Sequence, residues 1–424
     1  MGSEKTNKEE NFKNFNKTKI GLLPPKWKVL KLKDCIFDKP QYGANAPAED
    51  FHINLPRYIR ITDINEYGLL KNEDKKSINK EDSEKYILKD DDFLFARSGA
   101  TVGKTYLYKK TDGIAAYAGY LIKFEINKKK LLPKYLFQYT QYKRYKDWIN
   151  DTIRAGAQPN INAMEYCNLY LPIPPLPEQQ KIVEILSTWD RGIEKTEKLI
   201  ELKTNRKKGL MRQLLSGKKR FKEFEKETWP KLRLGDFLTF IPRPVIKPQN
   251  PYWALGIRSH GKGTFIKKVE EPEKIMMDTL FEVKKNDLIV NITFAWEGAV
   301  ALVKKSDEGT LVSHRFPTYV FKENIVSPEF FKQVILQKNF VHKLGIISPG
   351  GAGRNRVLSK KDFQRLKIKI PPIEEQQKIA SILSAADQEI ELIKQQLEKL
   401  KEQKKGLMQK LLTGQIRVKG VNNV

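Results

Sequence analysis

The segment SGATVGKT at 98–105 differs from a phosphate-binding loop at one position, since G-x-x-x-x-G-K-[ST] needs glycine where Ser98 stands. Such a loop must open a helix whose N-terminus faces the anion, and TYLY at 105–108 reads as a strand instead. Two other uses fit. A glycine-bearing hairpin can bring backbone N–H groups and Arg97 or Lys104, with Ser98 and Thr101 beside them, to a DNA phosphate; the bland reading is a structural turn.

Two further loops have the composition that reads base edges. Arg154, Gln158, Asn160 and Asn162 surround Gly156, and Arg354, Asn355 and Arg356 follow the run GGAG at 350–353. Arginine suits guanine edges and phosphate, whereas asparagine and glutamine suit adenine edges. Loops of this kind also occur without function. Arg258, His260, Lys262, Trp296, His314 and Arg315 add basic and aromatic groups near strand ends in the second half; Arg57, Arg60, Tyr117 and Tyr120 do so in the first. The acidic run Asp90, Asp91, Asp92 reads as a solvated strand-entry turn, because no Glu-x-Lys follows at strand spacing. No methyl-donor loop, amino-methylation motif or repeated Ser, His, Asp set is found, so the chain reads as non-catalytic, with no cofactor and no metal of its own.

Charge points the same way. Lys plus Arg number 79 against 51 Asp plus Glu, a net charge of +28 that makes nucleic acid the first partner to consider and an anionic membrane the second. Two cysteines and four histidines leave no zinc spacing and no disulfide framework. Without an 18-residue apolar stretch or a signal peptide, a cytoplasmic protein is expected.

The elements that position these residues come in duplicate. PPLPEQQKIVEIL from Pro174 returns as PPIEEQQKIASIL from Pro371, and the match runs without a gap to Arg220 and Arg417, identical at 23 of 47 positions. Each copy predicts a long helix, with prolines that cannot continue it backwards, Glu178 or Glu375 in the first turn, and Gly217 or Gly414 as a cap. Roughly 38 residues at ~1.5 Å each make a rod of about 57 Å.

Apolar residues alternate by steps of four and three. Trp189, Ile193, Thr196, Ile200, Leu210 and Leu214 form one seam, interrupted by Lys203 and Lys207. Ala386, Ile390, Ile393, Leu397, Leu400, Leu407 and Leu411 form the other, extended by Ile379, Ile382 and Leu383. Residues 203–220 carry eight bases and no acid, so antiparallel pairing sets each basic end beside the other helix's acidic end. Upstream of each helix lie about 150 residues that also align, with strands expected at 120–126 and 287–292 and helices at 133–140 and 328–335.

A variable region, then PIPPLPEQQKI opening a helix that ends in KKGLMRQLLSG, then the whole unit again, resembles the specificity (S) subunit of type I restriction-modification systems. The RSGATVGK segment is similar to that family's as well, while NITFAWEG in the second copy departs from it. The resemblance implies an α+β chain: two mixed α/β target recognition domains separated by two long helices forming an antiparallel coiled coil, an internal pseudo-twofold repeat. Its parts would be a polar tail (1–20), a first recognition domain (21–170), a spacer helix (171–220), a second domain (221–370), a second helix (371–420) and a tail (421–424).

Each domain would read one half of a bipartite site in double-stranded DNA, and the helices would set the spacer. The partners implied are two methylation (M) subunits and, beyond them, restriction (R) subunits, which would carry the methyl donor and ATP. The other reading, from a different class, is a coiled-coil scaffold with sequence-blind nucleic-acid binding.

Overall fold

The structure, a computed structural model, describes residues 15–153, 159–350 and 356–418. Two compact units divide the chain, one made of Met1–Glu197 with Gln395–Val424, the other of Lys198–Lys394. This grouping cuts across the linear division at 170, 220 and 370. The helices Leu176–Leu214 and Ile373–Leu412, of 39 and 40 residues, each give one half to either unit.

In the first unit, Lys28–Lys31 pairs antiparallel with Tyr170–Ile173, which closes the two ends of the recognition region on each other just before the helix. A four-stranded sheet runs in the order Gln41–Tyr42, Leu121–Phe124, Phe93–Ala96, Thr105–Leu107. Its side chains alternate between two cores. Phe93, Phe95, Ile122 and Phe124 pack with Ile182, Val183 and Leu186 of the long helix, whereas Leu94, Ala96 and Leu121 pack with Ile59, Ala115 and Tyr117. Burial on both faces explains the uninterrupted apolar run FLFA at 93–96. A second sheet holds Ala115–Tyr117, Arg57–Ile59, Lys76–Ser77 and Glu49–Asp50. The polar tail assigned to 1–20 ends earlier than expected. Asn16–Thr18 forms a hairpin with Gly21–Leu23, because Leu23 is buried beside Trp27 and the Thr18 hydroxyl donates to the Gly21 carbonyl at 2.6 Å.

The second unit repeats the plan. Lys231–Arg233 pairs with Lys367–Lys369, and a four-stranded sheet runs Leu238–Phe240, Thr318–Phe321, Leu288–Val290, Val300–Leu302. Its second sheet has five strands and carries a long hairpin, Tyr252–Ile257 with Thr264–Val269. Prolines open the helices Pro133–Gln141 and Pro328–Val334 at the position where a missing N–H costs nothing.

The long helices run antiparallel within each unit. In the first, Lys401 reaches Glu197 (3.0 Å), Lys404 reaches Asp190 (2.5 Å) and Arg417 reaches Glu178 (2.7 Å); in the second, Lys203 reaches Glu389, Lys207 reaches Asp387 (2.5 Å) and Arg220 reaches Glu375 (2.6 Å). Apart from the two pairs that end on the buried Glu178 and Glu375, these pairs are partly exposed and contribute about 0–1 kcal/mol each, so burial must supply most of the association along the helices. Leu214, Ile390, Leu397 and Leu411 are buried, and Trp189, Ile193, Ile200, Leu210, Ile393, Leu400 and Leu407 are partly buried. Ile382 departs from the expected seam at 39% exposure, since Ile379 and Leu383 take the inward face and Ile382 lies about 100° round from Leu383.

The doubled Glu-Gln-Gln motif has a structural cause. Gln179 accepts from the Leu132 amide (2.8 Å) and donates to the Lys130 and Pro174 carbonyls, while Gln376 does the same with Ser327 (2.9 Å), Ile325 and Pro371. Each glutamine therefore bolts its helix start to the loop before Pro133 or Pro328. Gly217 and Gly414, both at φ +70°, end the helices with the amide of Lys219 or Ile416 bonded back to Gln213 or Lys410 at 3.2 Å.

Candidate nucleic-acid interface

In the first unit the end of Phe93–Ala96 is fixed by three backbone contacts: the Ile161 amide to the Arg97 carbonyl (2.8 Å), the Gly99 amide to the Pro159 carbonyl (2.9 Å), and the Arg97 amide to the Tyr120 carbonyl (3.0 Å). These bring the Arg97 guanidinium over the Tyr42 ring, 4.8 Å from its centroid, with Nε 3.3 Å from the Asn160 side-chain oxygen. Tyr42 and Tyr120 are both exposed beside it. Gly43 makes this approach possible, for a Cβ there would stand 2.3 Å from the Tyr117 carbonyl oxygen. Tyr42 was missed from sequence. Its signal was the pair of dipeptides Tyr42-Gly43 and Gly119-Tyr120, where glycine permits close backbone contact next to an outward aromatic.

Several expected contacts are otherwise occupied. Tyr117 is fully buried, with no hydrogen-bond partner for its hydroxyl among the described residues, and burial holds that hydroxyl neutral by raising its pKa. It is a core residue and leaves the candidate set. The Asn162 side chain accepts from the Glu165 amide (3.0 Å) while Glu165 accepts from the Asn162 amide (2.8 Å), a reciprocal helix cap that an Asn-x-x-Glu spacing announces. The Lys104 ammonium donates to the Ile64 carbonyl (3.1 Å), and Thr101 donates to the Ser98 carbonyl (3.1 Å). Thr105–Leu107 is a strand, so no helix N-terminus follows 98–105 to receive phosphate. Arg60 is held by Asp63 (2.8 Å), and Arg57 is buried with Nη2 on the Lys71 carbonyl (2.5 Å). Arg154, Gln158, Arg354 and Asn355 lie outside the described residues.

In the second unit the corresponding junction is the Leu358 amide on the Ile292 carbonyl (2.8 Å). Around it gather Arg356, whose guanidinium lies over the Trp296 ring at 5.3 Å, Trp296 itself with Nε1 on the Thr293 carbonyl (3.2 Å), and the exposed His314 and Arg315. The Arg315 carbonyl accepts from the Ile292 amide (3.0 Å). The turn 258–263 of the long hairpin meets the same segment: Ser259 donates to the Glu297 carboxylate (2.8 Å), the His260 amide to the Glu297 carbonyl (2.7 Å), and the Gly261 amide to the Gly298 carbonyl (3.2 Å). Arg258, His260 and Lys262 are exposed on it. Glu297 went unnoticed in the sequence because an isolated acid among bases carries no spacing signal.

The acidic residues at the strand entries have structural partners. Asp92 and Asp287 accept from the amides of Lys89 (2.8 Å) and Lys284 (2.9 Å), closing strand-entry turns in which Asp91 and Asn286 have positive φ. Burial raises the Asp92 pKa, and it pushes the Cys35 thiol up to about 11. Cys35 and Cys167 are both free and buried. Among the described residues, no group of three or more His, Cys, Asp or Glu could hold a metal, and no helix is long and apolar enough to cross a membrane.

The model of the type I restriction-modification DNA specificity domain matches residues 24–204 and again 226–402. The chain belongs to that family. As a specificity subunit it carries two DNA recognition domains, and each match spans one domain and most of the helix that follows it. It is similar to the putative type I restriction enzyme MjaX specificity subunit of Methanocaldococcus jannaschii, 30% identical over 97% of this chain and 98% of that protein. The MjaVIII specificity subunit of the same organism is 26% identical over 98% of both chains. In fold it resembles the type I restriction-modification S subunit from M. genitalium, with a TM-score of 0.56 at 15% identity over 94% of this chain and 96% of that one. It also resembles a chain from a structure concerned with complex assembly and conformational transition of the type I system, with a TM-score of 0.54 at 14% identity over 93% of this chain and 99% of that one.

Proposed function

We propose that the two domains of this specificity subunit read the two halves of a bipartite site in double-stranded DNA, one through the surface at Tyr42, Arg97, Tyr120 and Asn160, the other through the surface at Arg258, His260, Lys262, Trp296, His314, Arg315 and Arg356. The observation that carries this is their placement at corresponding backbone junctions, Ile161 on Arg97 and Leu358 on Ile292, with different side chains mounted on them. A repeated frame with unlike side chains is what two readers of different sequences require. The arginines stacked on aromatic rings are held flat and pre-oriented, which reduces the ordering cost of binding.

In this reading the chain supplies no chemistry and binds no cofactor. Two M subunits dock on the helices and bring the methyl donor and the adenine chemistry, and R subunits add ATP-driven cleavage. Each helix runs through both units, which supports helix length as the quantity that sets the spacer between half-sites. Joining two weak readers makes the second binding event intramolecular. Purification from the host tests this directly: two methyltransferase chains per copy and sequence-dependent DNA binding are expected, whereas sequence-blind binding without such partners would favour a scaffold.

A further inference from the structure

Resting on the reading just given, we propose that His260 is a specificity-determining residue of the second recognition domain, its imidazole N–H donating to a purine N7 in the major groove. Four non-glycine residues among those described have positive φ, and three are the Asp or Asn that tolerate it; the fourth is His260 at φ 61°. Histidine shares that tolerance, and here it stands exposed in a turn whose neighbours Gly261 and Gly263 are also left-handed, where its surroundings anchor it.

The surroundings are three bonds to one segment. Ser259 Oγ donates to the Glu297 carboxylate at 2.8 Å, and the His260 and Gly261 amides donate to the carbonyls of Glu297 and Gly298 at 2.7 and 3.2 Å. The imidazole therefore projects from a fixed base. Its neighbours are less suited to reading. The Arg258 guanidinium lies over the Phe265 ring (4.9 Å) with Nη1 on the Thr264 carbonyl (3.2 Å), so one arm of its fork is spent within the hairpin and its position follows that of Phe265 and not of the anchored turn. Lys262 is a point charge on a flexible stem, matched to phosphate and not to a base edge. A neutral imidazole offers one donor and one acceptor, and purine N7 is the acceptor that both guanine and adenine present in the major groove. In the first unit the corresponding sheet joins Arg57–Ile59 to Lys76–Ser77 through the single pair Arg57 with Ser77 and has no such long hairpin among the described residues, so the role belongs to the second domain.

The test is genome-wide mapping of methylated adenine in the native host carrying the wild-type chain, His260→Gly, His260→Asn or Lys262→Ala. Glycine and asparagine both suit left-handed backbone, so neither substitution strains the fold. His260→Gly is expected to lose about tenfold or more discrimination at one base pair of one half-site, leaving the other half-site intact. His260→Asn should shift preference at that same pair towards adenine, and Lys262→Ala should weaken methylation at all sites without changing the motif. An unchanged motif in His260→Gly would overturn the inference alone. Loss of methylation in both His260 variants, together with a lowered melting temperature of the purified complex, would also overturn it by making the turn structural. A wild-type host with no bipartite motif would instead overturn the proposed function.

Discussion

Glu178 and Arg417, 239 positions apart, meet through two hydrogen bonds, Nε at 2.7 Å from one carboxylate oxygen and Nη2 at 2.9 Å from the other. Trp27 adds its indole N–H to the same carboxylate at 3.0 Å. The repeat reproduces the arrangement with Glu375, Arg220 (2.9 and 2.6 Å) and Trp229 (2.9 Å). Each clasp ties the start of one helix to the segment beyond the end of the other and to the first residues of its own domain.

Both carboxylates are almost fully buried, so neutralising one strands a guanidinium and an indole N–H. Glu375→Gln is expected to cost about 3 kcal/mol. Glu178→Gln should cost less, about 2 kcal/mol, because Arg417 is 45% exposed and partly screened. Urea unfolding of the single and double variants with the arginine changed measures the coupling; a double-mutant cycle with no coupling would contradict the clasp.

The two capping glycines separate strain from collision. Both have φ +70°, but a Cβ on Gly414 would lie 2.3 Å from Pro24 Cγ, while on Gly217 the nearest atoms, of Trp229, stand at 3.6 Å. Gly217→Ala is expected to cost about 1 kcal/mol, the left-handed penalty alone. Gly414→Ala should cost at least about 1 kcal/mol more, as overpacking against Pro24 is added. Equal melting-temperature shifts for the two would show that Pro24 yields freely.

Tyr117→Phe removes a buried hydroxyl that has no partner among the described residues. Taking away an unsatisfied polar group relieves its desolvation cost, so stability should be unchanged or raised by up to about 1 kcal/mol. The DNA motif should not change. Thermal unfolding and methylation mapping check the two halves of this statement; an altered motif would return Tyr117 to the reading surface.

Shortening both long helices by one turn removes about 5.4 Å from each, equivalent to about one or two base pairs at ~3.4 Å each. The required spacer between half-sites is expected to shrink accordingly. Mapping that finds the original spacer would remove the helices from their proposed measuring role.

The duplication, the two helices and their antiparallel sense were legible because their signals are periodic: Leu397 and Leu411 recur at seam spacing, and the bases of 203–220 face acids. The clasps were half legible. Glu178 reads as a first-turn acid, but nothing local links it to Trp27 or Arg417, which reach it only through the fold. Site residues were the least legible. Asn162 and Tyr117 have the right chemistry to read DNA and are spent on a cap and a core, whereas Tyr42, marked only by an adjacent glycine, and Glu297, marked by nothing, become placed by backbone junctions far away in sequence. Type and spacing report an element's periodicity; which exposed side chains share a surface depends on strand pairing between distant segments.

The central claim is that each domain reads its own half-site. Replacing residues 22–170 with the equivalent region of another specificity subunit and mapping methylated adenines across the host genome tests it. The account predicts a bipartite motif in which one half changes while the other half and the spacer stay as they were. A motif altered in both halves, or methylation that no longer follows a bipartite motif, would contradict it.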